Sequence, residues 1–255
     1  MNLFGINFTP QDLTLIAVVS AQSTVLAYLH SPKWKALLLT IPLPGTFAIL
    51  SVAQPVDITN VTGLVLLLVY THGVRILNWH LKVPVVLAIV VSAAAYCAIG
   101  VLLADVLPGT ETAFWLACAF VMAVAFLFDR ALPPRAEPGH RSRLPVGLKL
   151  LVIVAVITFL IAIKKQLGGF MTVFPMVGLI ACYECRHSLW TICRQIPIMI
   201  FAVLAMFMAM RLAQPYLGYA WALLPGWIAF LAVLAAIHPL GELIKVEAQE
   251  ENSLP

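Results

Sequence analysis

The amino-acid sequence predicts an all-α fold, a polytopic transmembrane helical bundle of about nine helices, on three observations. Charged residues make up 10% of the 255 and hydrophobic residues 62%, against about 25% and 45–50% in soluble domains. The apolar residues fall into nine runs of about 17–25 residues, long enough at 1.5 Å per residue to cross a hydrocarbon layer about 30 Å thick. Lys and Arg gather in alternate connectors, as positive charge does on the cytoplasmic side of a membrane. With a mean hydropathy of +1.01, the chain has too little polar surface for a water-facing shell. In lipid, its backbone amides are satisfied only by coiling.

The runs, in order, are Leu13 to Leu29, Ala36 to Ala53, Val61 to Leu77, Val83 to Leu103 and Thr112 to Phe128, then Leu148 to Ile163, Gly168 to Tyr183, Leu189 to Met210 and Leu217 to Ile237. The first is expected to be a retained helix, because Met1 to Pro10 lacks the basic stretch of a cleavable signal peptide. The second, sixth and seventh are short and carry helix breakers, so tilted or interrupted helices are expected there. Between the fifth and sixth lies the longest connector, Asp129 to Val146. It is rich in charge and in prolines (Pro133, Pro134, Pro138, Pro145), as a linker is. The expected organisation is an N-terminal transmembrane half (1–105, helices one to four), a linking helix and basic loop (106–147), a C-terminal half (148–241, helices six to nine) and an acidic tail (242–255).

The net charge of +4 comes from residues at helix ends, which set orientation, so no nucleic-acid partner is implied. Lys33, Lys35, Arg75, Lys82, Arg130, Arg135, Arg141, Arg143, Lys149, Arg186 and Lys245 share one side if the N-terminus is outside and the C-terminus cytoplasmic. Asp57, Asp105 and Glu111 take the other side. Lys164, Lys165 and Arg211 are exceptions.

The second and seventh runs share a pattern: Ile41-Pro42-Leu43-Pro44-Gly45 and Phe174-Pro175-Met176-Val177-Gly178. Pro42 and Pro175, like Gly45 and Gly178, stand 133 positions apart (175 − 42 = 178 − 45). Five segments on, the copies run in opposite directions, as in inverted-repeat transporters. Four helices, a linking helix and four more is the expected plan. Pro removes a backbone donor and Gly admits close approach, so such breaks expose backbone groups to a ligand; a plain kink fits the same residues.

Charged groups within the apolar runs are the next candidates. Arg194 is the deepest expected cation, with Glu184 as its partner across the turn or as a partner of Arg186; a snorkelling Arg194 fits equally. His72 and Arg75 share a helical face, where a cavity wall or an interfacial anchor are the alternatives. Lys164-Lys165-Gln166 followed by Gly168 and Gly169 places two cations before the broken seventh helix, to receive an anionic solute or headgroup or simply to snorkel. The candidate substrate-binding set is therefore Pro42, Pro44, Gly45, His72, Lys164, Lys165, Gly168, Gly169, Pro175, Gly178, Glu184 and Arg194. Cys182 and Cys185, near His187 and Cys193, have the spacing of redox motifs but no second pair, so neither a metal nor a cofactor is expected. No phosphate loop, HExxH or GxSxG is present, and no catalytic residue is assigned.

The stretch Lys165 to Val233, with Gly168-Gly169, Phe174-Pro175, the basic turn Arg186-His187, Gly218 and Gly226-Trp227, resembles the GlpM-like small bacterial inner-membrane proteins. The resemblance covers the C-terminal half alone, and the N-terminal half and linking helix depart from that family's four-helix plan. It implies a bacterial inner-membrane protein associated with the envelope or exopolysaccharide production, or a fused inverted pair of such units, and supplies no catalytic residues. The expected function is a transporter or translocase for a small solute or a lipid-linked envelope intermediate, with alternating access around helices two and seven. The alternative is a non-transporting accessory subunit of an envelope or exopolysaccharide biosynthesis complex. Expected partners are the lipid bilayer, an anionic small solute or lipid headgroup, and a membrane protein or a second copy of the chain.

Overall fold

The computed structural model describes residues 2, 3, 6–133, 135, 137 and 145–237. After a two-stranded hairpin, Asn2–Leu3 against Ile6–Asn7, every described element is helical: α1 Pro10–Tyr28, α2 Pro32–Thr40, α3 Leu43–Val52, α4 Ile58–Arg75 with a π turn Ile76–His80, α5 Val85–Val106, α6 Glu111–Ala131, α7 Val146–Ala162, α8 Lys164–Leu167, α9 Phe170–Val173, α10 Met176–Glu184, α11 Leu189–Trp221 and α12 Leu223–Ile237. All nine apolar runs fall on helices. Among the described residues, five stretches are long and apolar enough to cross a membrane: Lys33–Val52, Ile58–His80, Val85–Val106, Glu111–Ala131 and Leu189–Trp221.

Local chemistry sets the boundaries. Thr9 and Asp12 form a capping box at α1, and Asp57 and Asn60 do the same at α4. The second run is two helices because Pro42 cannot continue the first; Pro175 divides the seventh in the same way. Gly168, at φ +52°, turns α8 into α9, a conformation that L side chains resist. The eighth helix extends past the expected Met210 because the polar residues beyond it find partners. Arg211 reaches Glu111 at 2.5 Å and the Val56 carbonyl at 2.9 Å, and Gln214 brackets the Val56 backbone. Gly218, at φ +75°, then breaks the helical path.

α4 and α11 form the centre and pack on each other. α5 flanks α4, α12 flanks α11, and α6 touches both central helices. α1 packs against α3, α7 and α10, while α9 lies on α4 and α2 on α11. One continuous apolar core runs through these helices. Outward faces are apolar as well: Val86 and Leu102 of α5, Leu116 and Leu127 of α6, Leu151 and Phe159 of α7 are all exposed.

The Asp129–Val146 connector is partly built into the fold. The Glu137 carboxylate accepts from the Trp190 and Thr191 amides at 3.3 and 2.6 Å, capping α11, and the Trp190 indole donates to the Pro133 carbonyl at 2.8 Å. The acidic tail, 242–255, lies outside the described residues, as do Arg141 and Arg143.

Candidate functional site

The two Pro-x-x-Gly breaks face each other. Pro42 and Pro175 hold similar non-helical conformations, φ −82°, ψ 39° and φ −74°, ψ 60°, each directly before a half-helix, α3 or α10. A Cβ on Gly45 would lie 2.9 Å from the Thr172 carbonyl oxygen, so only glycine lets these backbones touch. Between them is a cavity of about 100 Å³ lined by Pro42, Pro44, Gly45, Pro175 and Gly178, and closed by apolar side chains of α4 and α11 such as Leu64, Leu67, Ile196 and Met199. Its wall is mainly apolar, with Gln22, Thr46, Thr71 and Thr172 as the polar exceptions among the described residues.

Gln22 of α1 joins this site through chemistry that the break creates. Ending α2 at Thr40 frees carbonyls of its last turn, and the Gln22 amide nitrogen donates to two carbonyls there, Leu38 at 2.8 Å and Ile41 at 3.4 Å. The other half of the site is braced from α4 and α5. Asn60 donates to the Thr172 hydroxyl at 2.9 Å, the Gly169 amide donates to the Thr59 hydroxyl at 3.0 Å, and Tyr96 donates to the Phe170 carbonyl at 2.9 Å. A Cβ on Gly169 would fall 2.3 Å from the Thr59 hydroxyl, which fixes glycine there.

Each end of the broken pair carries a buried charge cluster. At one end, Lys164 of α8 donates to both oxygens of Asp12 at 2.8 and 3.0 Å and to the Ser51 carbonyl at 3.2 Å, while the Ser51 hydroxyl donates to Asp12. Asp12 lies ahead of the apolar run that starts at Leu13. Burial opposes its ionisation, but the Lys164 ammonium, the Ser51 hydroxyl and Thr9 outweigh it and hold the carboxyl below the usual carboxylate value. At the other end, Glu184 of α10 meets Lys149 of α7 at 2.7 Å and Lys35 of α2 at 3.8 Å, with exposures of 0%, 7% and 1%.

Comparison with family models, with curated protein sequences and with solved structures gave no match.

Of the twelve residues singled out from sequence, Pro42, Pro44, Gly45, Pro175 and Gly178 line the cavity. Lys164 and Glu184 belong to the end clusters, and Glu184 pairs with Lys149 and Lys35 instead of Arg194 or Arg186. Arg194 instead donates to the Leu132 carbonyl at 3.2 Å, beyond α6. His72 is half-buried, its Nδ1 3.1 Å from the Leu68 carbonyl and its ring edge-on to Phe128. Gly168 and Gly169 are turn and packing positions, and Lys165 is exposed. Two of the exceptions to the charge sorting acquire a cause, since Lys164 and Arg211 each pair with an acid, Asp12 and Glu111.

Sequence reasoning missed Gln22, Asp12, Ser51, Thr59 and Asn60, and placed Lys35 and Lys149 among the loop charges. One signal was available: Ser51 and Glu184 are also 133 positions apart (184 − 51).

Proposed function

We propose that the chain is a multi-pass membrane transporter for a small solute, moved by alternating access around the two broken helical segments. The single observation that carries this reading is the cavity at which both breaks meet. Outward-facing apolar side chains on α5, α6 and α7 favour lipid as the solvent, since exposure on this scale is unfavourable in water. Nine spans fit the helix order, with α2–α3 and α8–α10 each forming one interrupted span.

The packing pattern supports an inverted repeat, with α1–α5 matched to α7–α12 around α6. α4 packs on α5 as α11 does on α12, and α1 packs on α3 as α7 does on α10. α9 lies on α4 as α2 lies on α11. The charge clusters obey the same exchange, for Lys164 reaches across to α1 and α3 as Lys35 reaches across to α10. In this reading Asp12 and Lys164 close the outer end, Glu184 and Lys35 close the cytoplasmic end, and opening one end while the other stays shut moves the solute. A bacterial inner membrane, with the N-terminus outside, agrees with the charge sorting and with the GlpM-like resemblance.

Thiol accessibility in proteoliposomes tests the mechanism. Cys182 lines the cavity, and a Thr46→Cys variant adds a second probe there, on α3. Small membrane-impermeant thiol reagents are expected to label these positions from either face, with labelling from one face suppressed when the other is favoured by a solute gradient. Cavity thiols that stay unlabelled from both faces under every gradient would remove the transporter reading and favour the accessory subunit.

A further inference from the structure

We propose that the cavity binds a small monovalent organic anion carrying a hydroxyl beside its carboxylate, a short 2-hydroxycarboxylate being the simplest member of the class. This rests on the cavity being the transport site.

Three features of the wall define the class. The first is its positive potential. α3 and α10 both begin at the cavity with no side-chain cap, and the first-turn amides of a helix have no carbonyl partner within it. Gly45, Val177 and Gly178 are such first-turn residues and all line the cavity. Each helix N-terminus is equivalent to about half a positive charge, and the carbonyls that α2 presents at the same break are partly taken up by the Gln22 amide, so the unpartnered first-turn amides favour an anionic group. No charged side chain lines the cavity among the described residues, so a single negative charge is tolerated better than two.

The second feature is a buried acceptor. Gln22 is 6% exposed, and its amide nitrogen is fixed on the Leu38 and Ile41 carbonyls. Gln22 lines the cavity and its Oε1 has no hydrogen-bond partner among the described residues, so it is free to accept from a ligand hydroxyl. The nearby hydroxyls do not supply one, because Thr46, Thr71 and Thr172 donate to the Pro42, Leu67 and Gly169 carbonyls. A plain carboxylate leaves Oε1 unsatisfied, whereas a hydroxyl next to the carboxylate satisfies it. The third feature is size. A cavity of about 150 Å³ takes benzene, so about 100 Å³ admits a smaller solute, with a methyl-sized group against the apolar wall. A lipid-linked intermediate does not fit.

The test is equilibrium binding of radiolabelled lactate to the full chain in nanodiscs, with propionate, lactamide and chloride as competitors. Lactate is expected to bind saturably, with propionate and lactamide each about ten-fold weaker, the change that the loss of one hydrogen bond to a buried or charged group produces. Gln22→Met is expected to bind lactate and propionate equally, and retained propionate binding shows that the variant is folded. Gln22→Glu, which brings negative charge, is expected to weaken both acids. Should Gln22→Met fail to fold, the wild-type ratio decides: equal lactate and propionate affinities overturn the hydroxyl assignment. Lactamide or chloride competing as well as lactate overturns the organic-anion class. Absence of lactate and propionate binding in protein that still takes up another solute overturns this proposal and leaves the transport reading standing.

Discussion

The Asp12 and Glu184 clusters do the same mechanical task at opposite ends of the broken pair, with different chemistry. At the Asp12 end the contact between halves is compact: one carboxylate holds one ammonium at 2.8 and 3.0 Å and is further bonded by Ser51 and Thr9. At the Glu184 end the tight bond, to Lys149 at 2.7 Å, stays within the C-terminal half, and the ion pair that crosses halves, to Lys35, is 3.8 Å long. That separation exceeds hydrogen-bond reach, so this ion pair itself is held by Coulomb attraction. The difference teaches that the ion pair joining the halves is short at one end and long at the other, and the Glu184 end is the one whose ion pair yields more easily.

The largest effect is expected from Glu184→Gln. It leaves the buried Lys149 and Lys35 without their carboxylate, and breaking a buried pair in this way costs about 3–5 kcal/mol. Urea unfolding in detergent micelles checks it, and an unchanged midpoint would show that the cluster is hydrated and structurally idle.

Lys164→Met comes next, at about 1–3 kcal/mol, because Lys164 is 17% exposed and Asp12 keeps Ser51 and Thr9. The same pair gives a pH dependence of known sign. Asp12 is held below its unfolded value, so its contribution is fully present above about pH 4 and disappears as pH falls through the folded value. Wild-type stability is expected to decline in that acid window and Lys164→Met to show a shallower decline. Parallel slopes would mean that other carboxylates dominate.

How much of this was legible in the sequence follows from whether a feature is local. Apolar runs, the Pro42 and Pro175 breaks and the matching glycines are properties of short stretches, and they placed the helices and five cavity residues. Gln22 looks like an ordinary polar residue in an apolar helix. Its importance comes from carbonyls freed sixteen to nineteen positions away. Asp12 and Lys164 are 152 positions apart, and neither alone announces the other. Lys35 and Lys149 satisfied the orientation rule so well that burial was not anticipated. The end of α11 was missed for a similar reason, because Arg211 and Gln214 resemble a helix terminus until Glu111 and Val56 are brought beside them.

The smallest stability effect and the sharpest test of the comparison belong to Lys35→Met. Glu184 keeps its 2.7 Å bond to Lys149, so the carboxylate is not abandoned, and replacing one member of a buried charge cluster by an apolar side chain of similar length offsets lost attraction with a smaller desolvation cost. The expected change in stability is about 1 kcal/mol or less, in either direction. The ion pair between halves at that end is nonetheless gone, so the Glu184 end is expected to open more often. Cys182, on the same half-helix and lining the cavity, reports it: its labelling rate from the Glu184 side should rise several-fold in Lys35→Met and stay at the wild-type value in Lys164→Met. A chymotryptic cut after Tyr183 puts Cys182 on a peptide without Cys185, and mass spectrometry of that peptide separates it from the other four cysteines. Equal rates in both variants would show that the two clusters do not gate separate ends, and the asymmetry between them would lose its mechanical meaning.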